Sequence, residues 1–336
     1  MFKLCFFYGW LVSVMVGYGY VNGLSTSRIK RLKVFLHLQS KIKKNGFIFL
    51  QETHSKPEST REFREDFGKN NDLFFSHGAS NSCGVAIGIC SNFDYNVKKE
   101  ISDPNGRYLL MKITIGTSDF ALINIYNENN EAAQVRLLQH VDTQLEQLGI
   151  DPETNIVLGG DLNFYFDKNL EAVGGNPQTK LQSLAAFLRL KEKYDLCDIW
   201  RIKHKKEKKY TFRQRHYSGY LQRRLDFIFI SNQLQTMVNN SEILVAISTD
   251  HSPVLMNLTI ENINFQKGAG YWKYNSSLND DLIYTNQLIK LIDDFLQNCL
   301  ITNKQAKWEL LKYEIRKFTI QYTKKYQKRN ENINKI

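Results

Sequence analysis

Short apolar runs bounded by polar residues recur along the first 260 residues and predict strands. They are Phe47–Leu50, Cys83–Ile89, Leu109–Ile115, Phe120–Tyr126, Ile156–Leu158, Asp226–Ser231 and Pro253–Ile260. Elsewhere the apolar period lengthens to that of a helix. Glu131–Leu148 sets Val135, Leu138, Val141, Leu145 and Leu148 on one face and then meets Gly149. Thr179–Leu190 has the same character. An earlier helix, capped by Ser25, Thr26 or Ser27 and closed before Gly46, turns Ile29, Leu32, Leu36 and Phe35 inward. Helices set among many strands, without the strict alternation of a doubly wound sheet, predict an α/β sandwich of two packed mixed sheets flanked by helices.

The polar residues at the strand ends carry the chemistry. Glu52 follows the first strand, Tyr126 ends another, and Asp161-x-Asn163 ends the strand that passes through Gly159-Gly160. Asp226 opens one strand and Asp250-His251 precedes another. A sheet fixes groups at its strand ends while the loops leave room for a substrate. Hard oxygen donors suit Mg²⁺, and a histidine beside carboxylates can be held in one orientation to donate or shuttle a proton. The paired glycines are expected to turn the backbone tightly and leave space beside Asp161. Taken singly, Glu52 also reads as a loop acid, Asp161-x-Asn163 as an Asx turn and Asp250-His251 as a surface pair.

Charge sharpens this picture. The net charge of the 336 residues is +11, of which Arg201–Arg224 carries +9 and Asn303–Ile336 carries +7, leaving the remainder at −5. A basic stripe beside an acidic remainder suits a polyanion held near a cation site. The five cysteines, Cys5, Cys83, Cys90, Cys197 and Cys299, are scattered with no zinc spacing and fit a reducing compartment. The apolar start "MFKLCFFYGWLVSVMVGYGY" has the outline of a signal peptide, yet it is short for a membrane span and has no small-residue cleavage site. No stable membrane association is expected.

Five segments in order, "IFLQETHS", "INIYNENN", "VLGGDLNF", "YTF" with "RRLDFIFIS", and "STDHSPV", resemble the endonuclease/exonuclease/phosphatase superfamily. Within it they are most similar to the endonuclease domain of non-LTR retrotransposon polyproteins, relatives of the apurinic/apyrimidinic endonucleases. The resemblance covers roughly residues 18–260 and implies a DNase I-like four-layer α/β sandwich. Residues 1–17 would be an altered first strand, and residues 261–336 a linker and basic helical tail that stops before a reverse transcriptase. "GYWKYNSSL" is similar to the link toward that polymerase.

The resemblance also implies an activity, the Mg²⁺-dependent nicking of DNA (Mn²⁺ serving in its place) to leave a 3′-hydroxyl in the nucleus. Glu52 would bind the metal with Asn22 and Asp250, and Asp161 would orient or deprotonate the attacking water with help from Asn163. Tyr126 would contact the scissile phosphate or the leaving oxygen, and Asp226 would orient His251 to stabilise the transition state. Lys205, Lys206, Lys208, Lys209, Tyr210, Arg213, Arg215, Arg223 and Arg224 would contact nucleic acid. One departure stands out. Where the family's first motif begins with asparagine this chain has Tyr20, which has no amide's paired donor and acceptor, while Asn22, Gly23 and Leu24 remain in step. That substitution leaves a catalytically impaired nucleic-acid-binding fragment as an alternative. A phosphatase of inositol phosphates or phospholipids on the same fold is another.

Overall fold

The structure is a computed structural model that describes residues 12–20, 27–42, 45–68, 71–79, 83–90, 93–217, 219–246, 249–260, 274–299 and 303–333. The chain forms two compact units, residues 1–267 and 268–336.

Among the described residues, three sheets build the first unit. One runs in the order β14 (Val238–Ile243), β15 (Val254–Ile260), β1 (Val12–Tyr20), β2 (Gly46–Gln51), β4 (Val85–Cys90), β3 (Asn71–Ser76). The second runs β10 (Leu196–Asp198), β13 (Asp226–Ser231), β8 (Asn155–Asp161), β7 (Ser118–Tyr126), β6 (Tyr108–Ile115), β5 (Tyr95–Ser102). A small third sheet joins the hairpin β11 (Phe212–His216) and β12 (Gly219–Arg223) to β9 (Ala172–Val173). Both large sheets are mixed, since β1 pairs with β2 in parallel and with β15 antiparallel, and β7–β8 is parallel inside an otherwise antiparallel sheet.

The unbroken apolar run of β2 is explained by burial on both faces. Phe47 and Phe49 pack between the two sheets with Met111, Leu122, Val157 and Ile228. Ile48 and Leu50 point the other way, onto α1 (Arg28–Ile42) and α2 (Thr60–Phe67), through Phe35, Leu38, Phe63 and Phe67. The second sheet repeats the arrangement. Its outer side chains Ile123, Leu158 and Phe229 meet Leu138, Val141 and Leu145 of α3 (Glu131–Leu148) and Phe187 and Leu190 of α5 (Leu181–Lys193). Helices, sheet, sheet and helices give four layers. Each fully buried Leu, Ile or Phe contributes about 1.5–3 kcal/mol.

Two expectations are corrected here. The inward face of α1 runs through Arg31, Phe35 and Leu38, whereas Leu36 is 65% exposed; the buried stripe is rotated because Arg31 turns in to pair with Asp66. Gly159 and Gly160 make no turn and open no space, for both lie within β8. A Cβ at Gly159 would strike the Phe49 ring of the facing sheet, and one at Gly160 the carbonyl oxygen of Ile125. These glycines exist for close packing.

The basic stretch is not one loop. It takes in the end of α6 (Ile199–Lys203) and the β11–β12 hairpin, and α4 (Lys168–Glu171) packs beside it. In the second unit, α7 (Leu282–Asn298) is capped by Asp281, which accepts from the amides of Ile283 and Tyr284. The ring of Tyr284 packs on Phe318 and Tyr322 of α8 (Lys304–Ile333), and its hydroxyl bonds Thr319 at 2.7 Å. No helix among the described residues is long and apolar enough to cross a membrane.

Candidate active site

Strand register assembles the site. β8 lies between β7 and β13, so Asp161 stands directly beside Tyr126 on one side and Asp226 on the other. Asp226 in turn accepts from His251 Nδ1 at 2.9 and 3.1 Å, and ligand atoms of Asp161, Asp226 and His251 all lie within 4.8 Å of one another. Tyr126 donates its hydroxyl proton to Glu52 Oε1, reaching across from the second sheet to the first. Behind this pair, buried Asn124 donates to the carbonyls of Leu50 at 3.1 Å and Ala86 at 2.9 Å, and receives the Gln51 amide. The two sheets are therefore pinned together next to Glu52.

The loop that carries Glu52 is itself clamped. Glu52 and His54 both hold the left-handed backbone conformation, at φ +50° and +52°, a conformation that persists only where surroundings impose it. Here the amides of Thr53 and His54 donate to the carbonyls of Gly84 and Cys83, and Gly84 N–H donates to Gly106. Gly106, at φ +71°, has no room for a side chain, because a Cβ would sit 2.7 Å from Gly84 N. Its neighbour Arg107 lays its guanidinium 4.9 Å from the centre of the Tyr126 ring and pairs with Glu128 at 2.8 Å.

Electrostatics follow from burial. Asp161 is buried opposite a second carboxylate, and burial first, then the Asp226 charge, pushes its ionisation up to about 8 despite the nearby imidazole. Burial alone would lower His251, but Asp226, Asp161 and Asp250 outweigh it and raise it to about 9. The imidazolium directs Nδ1 at Asp226 and carries its second N–H donor at Nε2. Thr211 fixes this pair: its hydroxyl accepts from the amides of Leu225 and Asp226, and its carbonyl accepts from Ser252 N–H at 2.6 Å. The Phe212 ring leans on His251 at 5.0 Å.

A hard cation suits this donor set. Glu52 offers a partly exposed carboxylate, and the Asp226 charge that adds to burial in raising Asp161 is what a divalent ion relieves. Asp250 is exposed beside His251. Asn22 lies outside the described residues, as do residues 1–11 and 261–273; Tyr20 ends β1, and its side chain is likewise outside the description.

The predicted nucleic-acid contacts divide. Lys205, Lys206, Lys208, Arg213 and Arg215 are exposed, and Lys209 is partly so. On the hairpin, Arg213 and Arg215 share a face by strand alternation, and Tyr217 at its tip is 96% exposed. Lys209 and Arg213 line a cavity of about 360 Å³ beside Asp250. Tyr210 is buried in the wall of that cavity, and Arg223 is spent on the carbonyls of Val173 and Gly174. Arg224 does not reach the surface at all, which corrects the expectation for it. Its guanidinium is sandwiched between Trp200 and Phe227 and ion-paired with Glu171 and Asp198.

Asn127 and Arg107 are site residues not singled out from the sequence, whereas Asn163 stands where it was expected. Asn127, directly after Tyr126, donates from its amide N–H to Asp161 O at 2.8 Å and from Nδ2 to Leu162 O at 3.1 Å. Asn163, left-handed at φ +54°, gives its N–H to Asp161 Oδ1 and its Nδ2 to Asn127 O, both at 2.9 Å. The repeated amides of "YNENN" were the available hint for Asn127; Arg107 had none.

Comparison with known proteins agrees with this fold. Among curated proteins, the Transposon TX1 uncharacterized 149 kDa protein of Xenopus laevis is 27% identical over 264 residues, which is 78% of this chain and 19% of that protein. The chain thus spans about a fifth of the relative it matches. Among solved structures, AP endonuclease LMAP from Leishmania major superposes with a TM-score of 0.58 at 16% identity, over 73% of this chain and 87% of that one. The APE2 catalytic domain of Xenopus laevis gives 0.59 at 17% identity, over 74% and 93%. A 3′ phosphatase from Neisseria, NExo, bound to a product DNA hairpin, gives 0.53 at 18%, over 73% and 99%. These likenesses establish the fold. Residues 21–251 match the profile of the Endonuclease/Exonuclease/phosphatase family, and the chain belongs to that family.

Proposed function

We propose that this chain is a Mg²⁺-dependent endonuclease that nicks DNA, derived from a non-LTR retrotransposon and acting in the nucleus. The observation that carries the reading is the convergence of Asp161, of the Asp226–His251 pair at 2.9 Å, and of Glu52 with its Tyr126 partner at the ends of neighbouring strands. The likeness to a transposon protein and the exposed basic hairpin support the choice of DNA and of origin.

Glu52 would hold the cation, with Asp250 and Asn22 as further oxygen donors, and the bound ion would supply positive charge to the phosphate. Asp161, once ionised, takes a proton from the attacking water, while Asn163 fixes where that water and the phosphate sit. The water oxygen bonds phosphorus as the bond to the 3′ oxygen breaks. His251, protonated and oriented by Asp226, directs Nε2–H at the oxygen on which charge develops. Tyr126 meets the phosphate or the leaving oxygen, which takes a proton from solvent and ends as a 3′-hydroxyl. Lys205, Lys206, Lys208, Lys209, Arg213 and Arg215 would hold flanking phosphates and supply the salt-dependent part of affinity.

The test is nicking of supercoiled plasmid with Mg²⁺, with EDTA, and with Asp161→Ala. Relaxed circles that need both the ion and Asp161 are expected. Salt-sensitive binding without nicking would instead identify an impaired binder, in which Tyr20→Asn is the rescue to try. Preferred hydrolysis of an inositol phosphate or phospholipid would replace the nuclease reading with a phosphatase.

A further inference from the structure

Two loops carry the groups that meet at the proposed scissile phosphate. One follows Tyr126 and spans Asn127–Asn130; the other follows Asp161 and includes Leu162 and Asn163. They are laced together more densely than turn geometry requires. Beyond the side-chain bonds from Asn163 to Asn127 O and from Asn127 to Leu162 O, the buried Gln134 amide of α3 donates to Glu128 O at 2.5 Å and Asn163 O at 3.1 Å. Lys180, the residue before α5, places Nζ 2.8 Å from Asn129 O and 2.8 Å from Asn163 O.

Each bridge joins one loop to the other, and both end on the carbonyl of Asn163, the one left-handed residue there. The Lys180 side chain does not cap the helix it precedes. Its ammonium is partly withdrawn from water, which lowers its ionisation, while Asp161 and Glu131 pull the other way. A desolvated cation bound to neutral carbonyls is an expensive way to hold a surface loop. It makes sense where a fixed carbonyl keeps a side chain aimed.

Resting on the nuclease reading above, we propose that Lys180 is a positioning residue for Asn163, a cationic staple that sets the Asn163 amide relative to Asp161 by tying the Asn127–Asn130 loop to the Asn163 carbonyl. Gln134 is its neutral counterpart on α3. The substrate phosphate is met by the side chain that Lys180 positions.

The experiment compares wild type, Lys180→Met and Lys180→Arg in plasmid nicking, thermal unfolding and hydrogen–deuterium exchange across residues 127–130 and 161–164. Lys180→Met keeps the aliphatic stem and removes the donor. It should lower kcat about 10–100-fold, the usual cost of removing a supporting partner, with KM within about threefold and the melting temperature nearly unchanged. Exchange should speed up in both loops, and Lys180→Arg should restore most of kcat. An unchanged kcat, or a loss confined to KM, overturns the proposal, as does unchanged exchange in the two loops. If wild type does not nick DNA, the functional reading fails, and the exchange comparison still decides whether Lys180 is the staple. Should Lys180→Met unfold, Lys180→Gln is judged by the same readouts.

Discussion

Replacing Asp161 with asparagine should stabilise the ion-free protein, and by an amount that grows with pH. In the unfolded chain this carboxyl ionises near 3.8, while in the fold it ionises at about 8, because burial and then Asp226 oppose its charge. Between those values the folded state keeps a proton that the unfolded state has released, so stability falls as pH rises. Each tenfold displacement of the ionisation equilibrium is worth about 1.4 kcal/mol. The cost is therefore on the order of 3 kcal/mol at pH 6 and on the order of 5 kcal/mol above pH 8. His251 acts in the same direction at higher pH: raised from 6.5 to about 9, its stabilising contribution is complete below 6.5 and lost through about 9. Because Asp161 is one of the charges raising His251, its removal gives back part of the gain. The expected net stabilisation of Asp161→Asn at pH 8 is about 2–4 kcal/mol. Asparagine keeps an oxygen for the Asn163 amide, which bonds Asp161 at 2.9 Å. Urea melts of both proteins in EDTA at pH 5, 6.5 and 8 measure the difference. Added Mg²⁺ should narrow it, since a bound cation relieves the same repulsion. A variant less stable than wild type at pH 8, or a difference that does not change with pH, would refute the electrostatic reasoning.

Three further outcomes are expected. Glu171→Gln leaves Arg224 buried with a single carboxylate partner and weakens the acceptor for the Phe166 and Asp167 amides; about 3–5 kcal/mol should be lost in urea melts. Gly160→Ala drives a methyl into the Ile125 carbonyl inside the sheet and should cost about 1–3 kcal/mol or prevent folding, as read by soluble yield and thermal unfolding. Replacing both Arg213 and Arg215 with alanine should weaken DNA binding and lower the slope of log affinity against log salt by about 2, as anisotropy titrations would show.

The layered fold was legible where burial is uniform. β2, β4, β6, β7, β8 and β13 are apolar runs because both faces of each are covered, and α3 matches its predicted bounds because Leu138, Val141, Leu145 and Leu148 form one buried stripe ending at a left-handed Gly149. The strands that escaped notice lie at edges or are too short to show a period. β5 reads "YNVKKEIS" with most of its residues exposed, and β10 has three residues. The hairpin hid inside a charge run, since strands whose side chains face water have no apolar pattern to give. α1 was misphased for a related reason: Arg31 lies 3% exposed, paired with Asp66 at 2.7 Å and stacked over Phe63, so a charged residue occupies a core position.

The same physics divides the legible part of the site from the rest. Strand-end acids could be picked out because an acid or histidine next to a buried strand is costly unless it has a task. Arg224 shows the limit of that argument. It was assigned to DNA by its place in a basic run, yet it belongs to a buried network in which Glu171 also takes the amides of Phe166 and Asp167, just past Asn163, and the Arg224 amide donates to the Glu171 carbonyl. Leu225 O receives Leu162 N–H at 2.9 Å, so the cross-strand pair Asp161–Asp226 is braced one residue beyond each acid. Once Asp161 ionises, two like charges stand opposite each other on adjacent strands and repel, and a register slip would relieve them. The ion pairs of Arg224 oppose that slip from inside the core. A count of cations thus overstates the surface available to a polyanion, and the basic run serves two ends: Arg213 and Arg215 face solvent, while Arg224 holds the acids in place.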